Sequence, residues 1–203
     1  ILREGYPRNS IFFDQEHGRL LKEVLGYQGC QLSVYMPTFR GHTDDVEGDT
    51  YVEQVRSYLE VIDKGMQDDQ ILLLKLHPLV QKGLDLDNYR HIRPFPSELD
   101  TYDVLNACDV LITDYSSVMY DFANTGRKII LFAYDLEDYM GHRGMYEDIR
   151  SYPFPIAVTP EEVLSELQEP GGGADREFLD KYCTFDRQKA TRNICRHVLL
   201  GKY

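Results

Sequence analysis

The sequence predicts an α/β fold, with a parallel sheet and helices packed on both of its faces. Short runs of aliphatic residues recur along the chain without a polar face, which is the pattern of strands buried on both sides. Segments with apolar residues at helical spacing separate these runs. Strands that alternate with helices are typical of parallel sheets joined by right-handed crossovers.

Six segments have the composition of strands. The clearest is residues 109–113, where aliphatic and β-branched residues follow one another up to Thr113. Residues 71–76 are apolar until Lys75, and residues 91–93 form a weaker candidate. The remaining predicted strands are residues 32–36, 128–132 and 156–158.

Helices are predicted between the strands. Residues 51–64 form an amphipathic segment, and residues 116–123 carry apolar side chains at helical spacing before a turn at Gly126. Thr159 and Pro160 have the chemistry of a helix start, with Thr159 as the cap and Pro160 in the first turn. The other predicted helices are residues 11–25, 101–108, 176–183 and 187–200.

The most informative stretch is the joint between the strand at 109–113 and the helix that follows it. It reads Asp114-Tyr115-Ser116-Ser117. The N–H groups of a helix's first turn point beyond the carboxyl end of the sheet, where the helix dipole favours an anion, and the two serines add hydroxyls there. Asp and Ser are also the commonest N-caps, and a cap needs no ligand. From spacing alone, a simple cap and a phosphate site stay equally open.

Polar residues follow two other predicted strands at the point where each strand ends. Thr38 and Arg40 come after residues 32–36, and Lys75 and His77 come at the end of residues 71–76. Ligands of parallel α/β sheets bind outside the carboxyl ends of the strands, near the point where the strand order reverses. We therefore expect these side chains to share a crevice with the serine joint, although His77 alone would be read as a structural strand-end residue.

Composition narrows the class of protein. The chain has 203 residues and a net charge of −12, which argues against nucleic acid or anionic lipid as the principal partner. No apolar run approaches the roughly 18 residues of a membrane-spanning helix. The four cysteines lack CxxC spacing and the histidines lack metal-ligand spacing, so we expect a cytoplasmic protein without a metal site.

Several motifs, in this order, resemble the CDP-glycerol glycerophosphotransferase family, whose members build or prime teichoic-acid-like and capsular polymers. The resemblance implies a GT-B-type transferase, in which two Rossmann-like domains face each other across a cleft. This chain is similar to the C-terminal domain, which holds the nucleotide donor. The motifs are GYPRN at 5–9, YMPTFR at 35–40, LKLHP at 74–78, DVLITDYSSVMYD at 109–121, AYDL at 133–136 and RGMY at 143–146.

The resemblance also implies roles for individual residues. His77 would be the catalytic residue, contacting the donor's diphosphate and assisting the departure of CMP. The expected donor is CDP-glycerol or CDP-ribitol, and no cofactor or metal is expected. The predicted donor- and phosphate-binding residues are Arg40, Thr38, Lys75, Thr113, Asp114, Ser116, Ser117 and Arg143.

The resemblance further predicts how the domain is organised. Residues 1–203 form one Rossmann-like donor-binding domain, in which residues 1–9 are a linker from a missing N-terminal domain and residues 174–203 are C-terminal helices. The family's general base is a histidine of that N-terminal domain, so this chain alone is expected to bind donor without turnover. The other expected partner is a polymer or lipid-linked acceptor at the inner face of the membrane, with any peripheral membrane contact made by other parts of the protein.

Two alternative functions stay open, because residues 153–155 read Pro-Phe-Pro where the family usually has Pro-Gly-Pro. The first is a GT-B glycosyltransferase domain that uses a UDP-sugar or another nucleotide sugar. The second is a non-catalytic nucleotide-binding or interaction module. Its docking surface would be a tyrosine-rich patch formed by Tyr134, Tyr139, Tyr146 and Tyr152. Two other interpretations of these tyrosines stay open: they pack against the last helices, or they form the face that meets the missing N-terminal domain.

Overall fold

The computed structural model describes residues 2–38, 47–142 and 147–201. Its strands are β1 (Gln31–Tyr35), β2 (Gln70–Leu74), β3 (Ile92–Pro94), β4 (Val110–Thr113), β5 (Lys128–Phe132) and β6 (Ile156–Ala157). They form one sheet in the order β3-β2-β1-β4-β5-β6, and every neighbouring pair is parallel. The strand order reverses between β1 and β4, as in a Rossmann fold. The predicted fold class is confirmed.

Helices cover both faces of this sheet. The helices of the described ranges are α1 (Gln15–Val24), α2 (Glu47–Gly65), α3 (Pro78–Gln81), α4 (Thr101–Ala107), α5 (Val118–Phe122), α6 (Leu136–His142), α7 (Pro160–Gln168), α8 (Arg176–Tyr182) and α9 (Ala190–Leu200). One face of the sheet carries α2, α3 and α7, and the other carries α1, α4, α5 and α8.

The sheet separates two hydrophobic cores, because successive side chains of a strand point to opposite faces. In β5, Ile129 and Leu131 enter the core under α1, α4 and α5, whereas Ile130 and Phe132 enter the core under α2 and α7. All four side chains are fully buried. Both cores therefore hold the strands in place, and the carboxyl ends of the strands form a rigid edge.

Most predicted elements are present, with boundaries that differ for identifiable reasons. The helix predicted over residues 11–25 is a 3-10 helix at Pro7–Phe13 followed by α1, because the Asp14 carboxylate accepts from the His17 N–H and caps a new helix. The predicted helix 116–123 shortens to α5 and a 3-10 turn, which ends at Gly126 with φ of +69°. The predicted cap is confirmed, since Thr159 and Glu162 form a capping box.

The amino-terminal residues pack against the carboxyl-terminal region beside α5. The Asp186 carboxylate accepts from the Tyr6 backbone N–H at 2.8 Å and from Asn9 Nδ2 at 2.8 Å. Asn124, just past α5, donates to the same carboxylate at 3.0 Å. Within the described ranges, no helix has the length and apolar character needed to cross a bilayer.

Candidate functional site

The carboxyl ends of β2, β1 and β4 lie side by side, since these three strands are consecutive in the sheet. Neighbouring strands are about 4.8 Å apart, so the loops after β2 and β4 flank the loop after β1 at a separation of roughly 10 Å. Six of the predicted site residues follow these strands: Thr38, Lys75, His77, Asp114, Ser116 and Ser117.

Asp114 ties the loop after β1 to the loop after β4. Its carboxylate oxygens both accept from the Thr38 backbone N–H at 2.9 Å, and Oδ1 also accepts from Thr38 Oγ1 at 2.7 Å. The Tyr115 N–H donates to the same Oδ1 at 2.6 Å. Asp114 has no solvent exposure, so these bonds meet the hydrogen-bonding needs of a buried carboxylate.

Thr113 adds a second link between the same two strands. Its Oγ1 donates to the Met36 carbonyl at 2.7 Å, and the Met36 N–H donates to the Ile112 carbonyl at 2.9 Å. Thr113 is fully buried. In this structure Thr38, Thr113 and Asp114 are therefore bonded to one another's loops, and their contact with the donor stays a prediction.

Ser116 and Ser117 lie on the outer side of the joint. Ser117 occupies the N-cap position of α5 but makes no side-chain cap bond, and Ser116 Oγ is a distant 3.5 Å from the Val118 N–H. The simple-cap interpretation therefore accounts poorly for these hydroxyls. Because α5 has only five residues, its dipole is weaker than that of the longer helix predicted, and anion binding here would depend more on the hydroxyls.

His77 is an exposed residue at the N-cap of α3. Its Nδ1 accepts from the Leu79 backbone N–H at 3.4 Å. A neutral imidazole whose Nδ1 accepts carries its proton on Nε2. Nε2 is therefore the ring atom that can donate to an anionic oxygen at this edge.

Lys75 points to the face of the sheet that carries α4. Its Nζ lies 4.2 Å from the centroid of the Phe95 ring, a cation–π contact. Burial lowers the pKa of Lys75, and the charge of Asp100 opposes that shift. The assignment of Lys75 to the donor stays a prediction.

Tyr115 is a residue of this edge that the sequence analysis did not select. Its hydroxyl donates to Asp135 Oδ1 at 2.9 Å, and its ring stacks on Tyr139 of α6 with centroids 3.8 Å apart. The joint after β4 is thereby connected to the segment after β5. The position of Tyr115 between Asp114 and the serines was the available signal.

The proposed tyrosine-rich docking patch is wrong for its described members. Tyr134 packs against Tyr58 on the face that carries α2, whereas Tyr152 packs against Phe178 on the opposite face of the sheet. Tyr139 lies at the strand-end edge with Tyr115. Residues close in sequence separate here because the chain passes from one side of the sheet to the other between them. The three described tyrosines therefore do not form one docking surface, and Tyr152 packs against α8 as the packing interpretation predicts.

Three residues of the predictions, Arg40, Arg143 and Tyr146, lie outside the described residues. Among the side chains of the described ranges, no group of three or more His, Cys, Asp or Glu is arranged to hold a metal ion. The roles that the sequence assigns to Arg40, Arg143 and Tyr146 stay predictions.

Comparison with known proteins identifies the family. A family model described as CDP-glycerol:poly(glycerophosphate) glycerophosphotransferase matches residues 1–200. The chain belongs to this family. The resemblance inferred from the motifs is thereby confirmed.

Curated relatives and solved structures agree with this assignment. The chain is 32% identical over 210 residues to a teichoic acid poly(glycerol phosphate) polymerase of Staphylococcus epidermidis, covering 96% of this chain and 29% of the relative. It is 30% identical over 211 residues to a teichoic acid glycerol-phosphate transferase of Staphylococcus aureus, covering 98% and 54%. A structure of a variant of the wall teichoic acid polymerase TagF has a TM-score of 0.79 and 29% identity, covering 96% of this chain and 50% of that chain. This chain therefore matches only part of each relative.

Proposed function

We propose that this chain is the donor-binding part of a transferase that moves a polyol phosphate from CDP-glycerol or CDP-ribitol to a teichoic-acid-like or capsular polymer. The observation that supports the proposal is the meeting of His77 and the two serines at one edge of a Rossmann sheet, in a chain of this family. Relatives named as poly(glycerol phosphate) and poly(ribitol-phosphate) polymerases support both polyols.

The proposed chemistry is attack of an acceptor hydroxyl on the phosphorus that bears the polyol. A new P–O bond forms to the acceptor, the P–O bond to CMP breaks, and a base outside this chain takes the hydroxyl proton. Negative charge then develops on CMP. Donors aimed at that charge lower the barrier, and we propose His77 Nε2–H and the hydroxyls of Ser116 and Ser117 for that role. No cofactor is needed for this transfer.

The remaining partners are proposed from the family. The general base would be supplied by a second, N-terminal GT-B domain, and Arg40 and Arg143 would add donor contacts. The acceptor would be a polymer or a lipid-linked primer, which places the reaction at the cytoplasmic face of the membrane. A nucleotide-sugar transferase stays the competing function, and the nucleotide preference distinguishes the two.

Calorimetric titration with CDP-glycerol, CDP and UDP tests the proposal. We expect binding of the cytidine compounds in preference to UDP, and weaker binding in a His77→Ala variant because a donor to the diphosphate is lost. His17→Ala is the matched control, since His17 is also exposed but pairs with Asp103 on the helix layer of one face. Preference for UDP would favour the nucleotide-sugar function. An absence of binding to all three compounds would contradict the proposal.

A further inference from the structure

Two aspartates stand at opposite ends of β4 and make the same kind of bond to β1. Asp109, just before β4, accepts from the Leu32 backbone N–H at 2.7 Å and from Lys22 Nζ at 2.5 Å. Asp114, just after β4, accepts from the Thr38 backbone N–H and hydroxyl. The β1–β4 pair is therefore closed by a carboxylate at its amino end and by another at its carboxyl end, and only the second adjoins the proposed donor edge.

Asp114 is poorly suited to contact a diphosphate. An ionised carboxylate only accepts hydrogen bonds, and it repels a phosphate at short range. Its two oxygens already accept from the Thr38 N–H, the Thr38 hydroxyl and the Tyr115 N–H, at distances between 2.6 and 2.9 Å. The side chain is also fully buried. These bonds join the loop after β1 to the loop after β4.

We propose that Asp114 is a positioning residue of the donor site. Its carboxylate holds the loop after β1 against the loop after β4, which fixes Ser116 and Ser117 at the edge, and it acts through Thr38 and Tyr115 without touching the donor. The inference rests on the proposed function, because it assigns the serines to the donor phosphates.

The chemistry of this position favours an acid over its amide. Asparagine has the same shape, but it offers one accepting oxygen and an NH2 group. With its oxygen in the place of Oδ1, asparagine keeps the bonds from the Thr38 hydroxyl and the Tyr115 N–H. Its NH2 then takes the place of Oδ2, 2.9 Å from the Thr38 backbone nitrogen, which is a contact of two donors. The joint would then shift by the distance needed to separate them, and the two serines are only two and three residues further along the chain.

Donor binding to the 203-residue chain, with stability measured in parallel, tests this role. We expect Asp114→Asn to weaken CDP-glycerol binding about tenfold or more and Asp109→Asn to change it less than about twofold, although each substitution removes charged acceptor interactions and lowers the denaturation midpoint. A merely structural role would move the two affinities together. Asp109→Asn is the matched control because it loosens the same strand pair at the distant end.

Thr38 variants provide a second, milder measurement. Thr38→Ser keeps the hydroxyl bond to Asp114 and should lose less affinity for CDP-glycerol than Thr38→Val, which removes that bond. Both residues act through one bond, so their effects should not add. Thr38→Val should therefore lower the affinity for CDP-glycerol less in the Asp114→Asn background than in the unmodified chain. The comparison of Thr38→Ser with Thr38→Val can be made even if Asp114→Asn fails to fold.

Each other outcome has a distinct meaning. Equal losses in the two aspartate variants would overturn the positioning role. Tighter binding in Asp114→Asn would overturn it as well, since it would show that the carboxylate faces the donor phosphates. If the unmodified chain bound no CDP-glycerol, the proposed function would fail first and this inference with it.

Discussion

At the scale of single residues, the side chains at the joint after β4 fall into two groups, one bonded to neighbouring loops and one on the outer side of the joint. Thr113 and Asp114 are buried and bind the end of β1, and Tyr115 binds the segment after β5. Ser116 and Ser117 lie outside these bonds and carry the hydroxyls that could meet a ligand. The motif therefore combines a structural half with a half available for binding.

Removing the two hydroxyls should weaken donor binding without disturbing the sheet. We expect Ser116→Ala/Ser117→Ala to lower the affinity for CDP-glycerol about tenfold, since hydrogen bonds to charged oxygens are stronger than neutral ones. Calorimetric titration measures this effect. Ser57→Ala is the control, because the Ser57 hydroxyl donates to Gln54 within α2 at 2.7 Å. Unchanged affinity in the double variant would count against the phosphate-binding role.

At the scale of elements, the helix after the serine joint is shorter than its sequence pattern suggests. Apolar spacing continues from residue 116 to residue 123, yet α5 covers only Val118–Phe122. The carbonyls of Ser116 and Ser117 accept from the N–H groups of Met119 and Tyr120, three residues further on, so tight turns precede the regular helix. Gly126 adopts the left-handed conformation that closes the unit. Periodicity reports which side chains are buried, and it does not report which backbone groups bond along a helix.

The contact between α1 and α4 depends on a glycine. A Cβ at Gly18 would lie 2.3 Å from the Asn106 carbonyl oxygen, and Asn106 is fully buried. We expect Gly18→Ala to lower the free energy of unfolding by about 1–3 kcal/mol because the helices must separate. Urea denaturation followed by circular dichroism measures the change.

Gly141→Ala is the matched control for that experiment. Gly141 also lies in a helix, α6, and among the described residues a Cβ there would have no heavy atom within 4 Å. Alanine should stabilise this position by up to about 1 kcal/mol because it has the better helix propensity. A similar loss at both positions would contradict the close-packing explanation for Gly18.

At the scale of the whole molecule, burial raises the pKa of several cysteine thiols and tyrosine hydroxyls, which keeps these groups neutral. Burial raises the pKa of the Cys183 thiol to about 12. Burial, followed by the hydrogen bond to Asp121, raises the pKa of Tyr102 to about 12. Burial also raises the pKa of Cys108 and of Tyr120. The folded state therefore holds these protons more tightly than the unfolded chain does.

The fold should lose stability in alkaline solution. The stabilisation from these groups is complete below their unfolded pKa values, about 8.5 for Cys and about 10 for Tyr, and is lost as pH rises from there toward the folded values. Urea midpoints should therefore fall above about pH 8.5 and fall further above about pH 10. Tyr102→Phe should lessen the decline in the upper range, and midpoints that stay level up to about pH 11 would contradict the expectation.

Much of this fold could be predicted from the chain alone. All six strands were found within about two residues, because all but the weaker β3 are largely apolar on both faces. Parallel order followed from their alternation with helices. The helix boundary at Asp14 was less predictable, since a capping side chain competes with periodicity there.

The sequence alone determined the family and placed the candidate site residues at the ends of predicted strands, because short motifs follow one another there in a recognisable order. Only the tertiary structure decided what each motif residue contacts. The pairing of Asp114 with Thr38, the stacking of Tyr115 on Tyr139 and the separation of Tyr134 from Tyr152 all join or divide positions according to the sheet. Such contacts arise when strands distant in sequence become neighbours in the sheet. A sequence pattern does not specify the spatial distance between such positions.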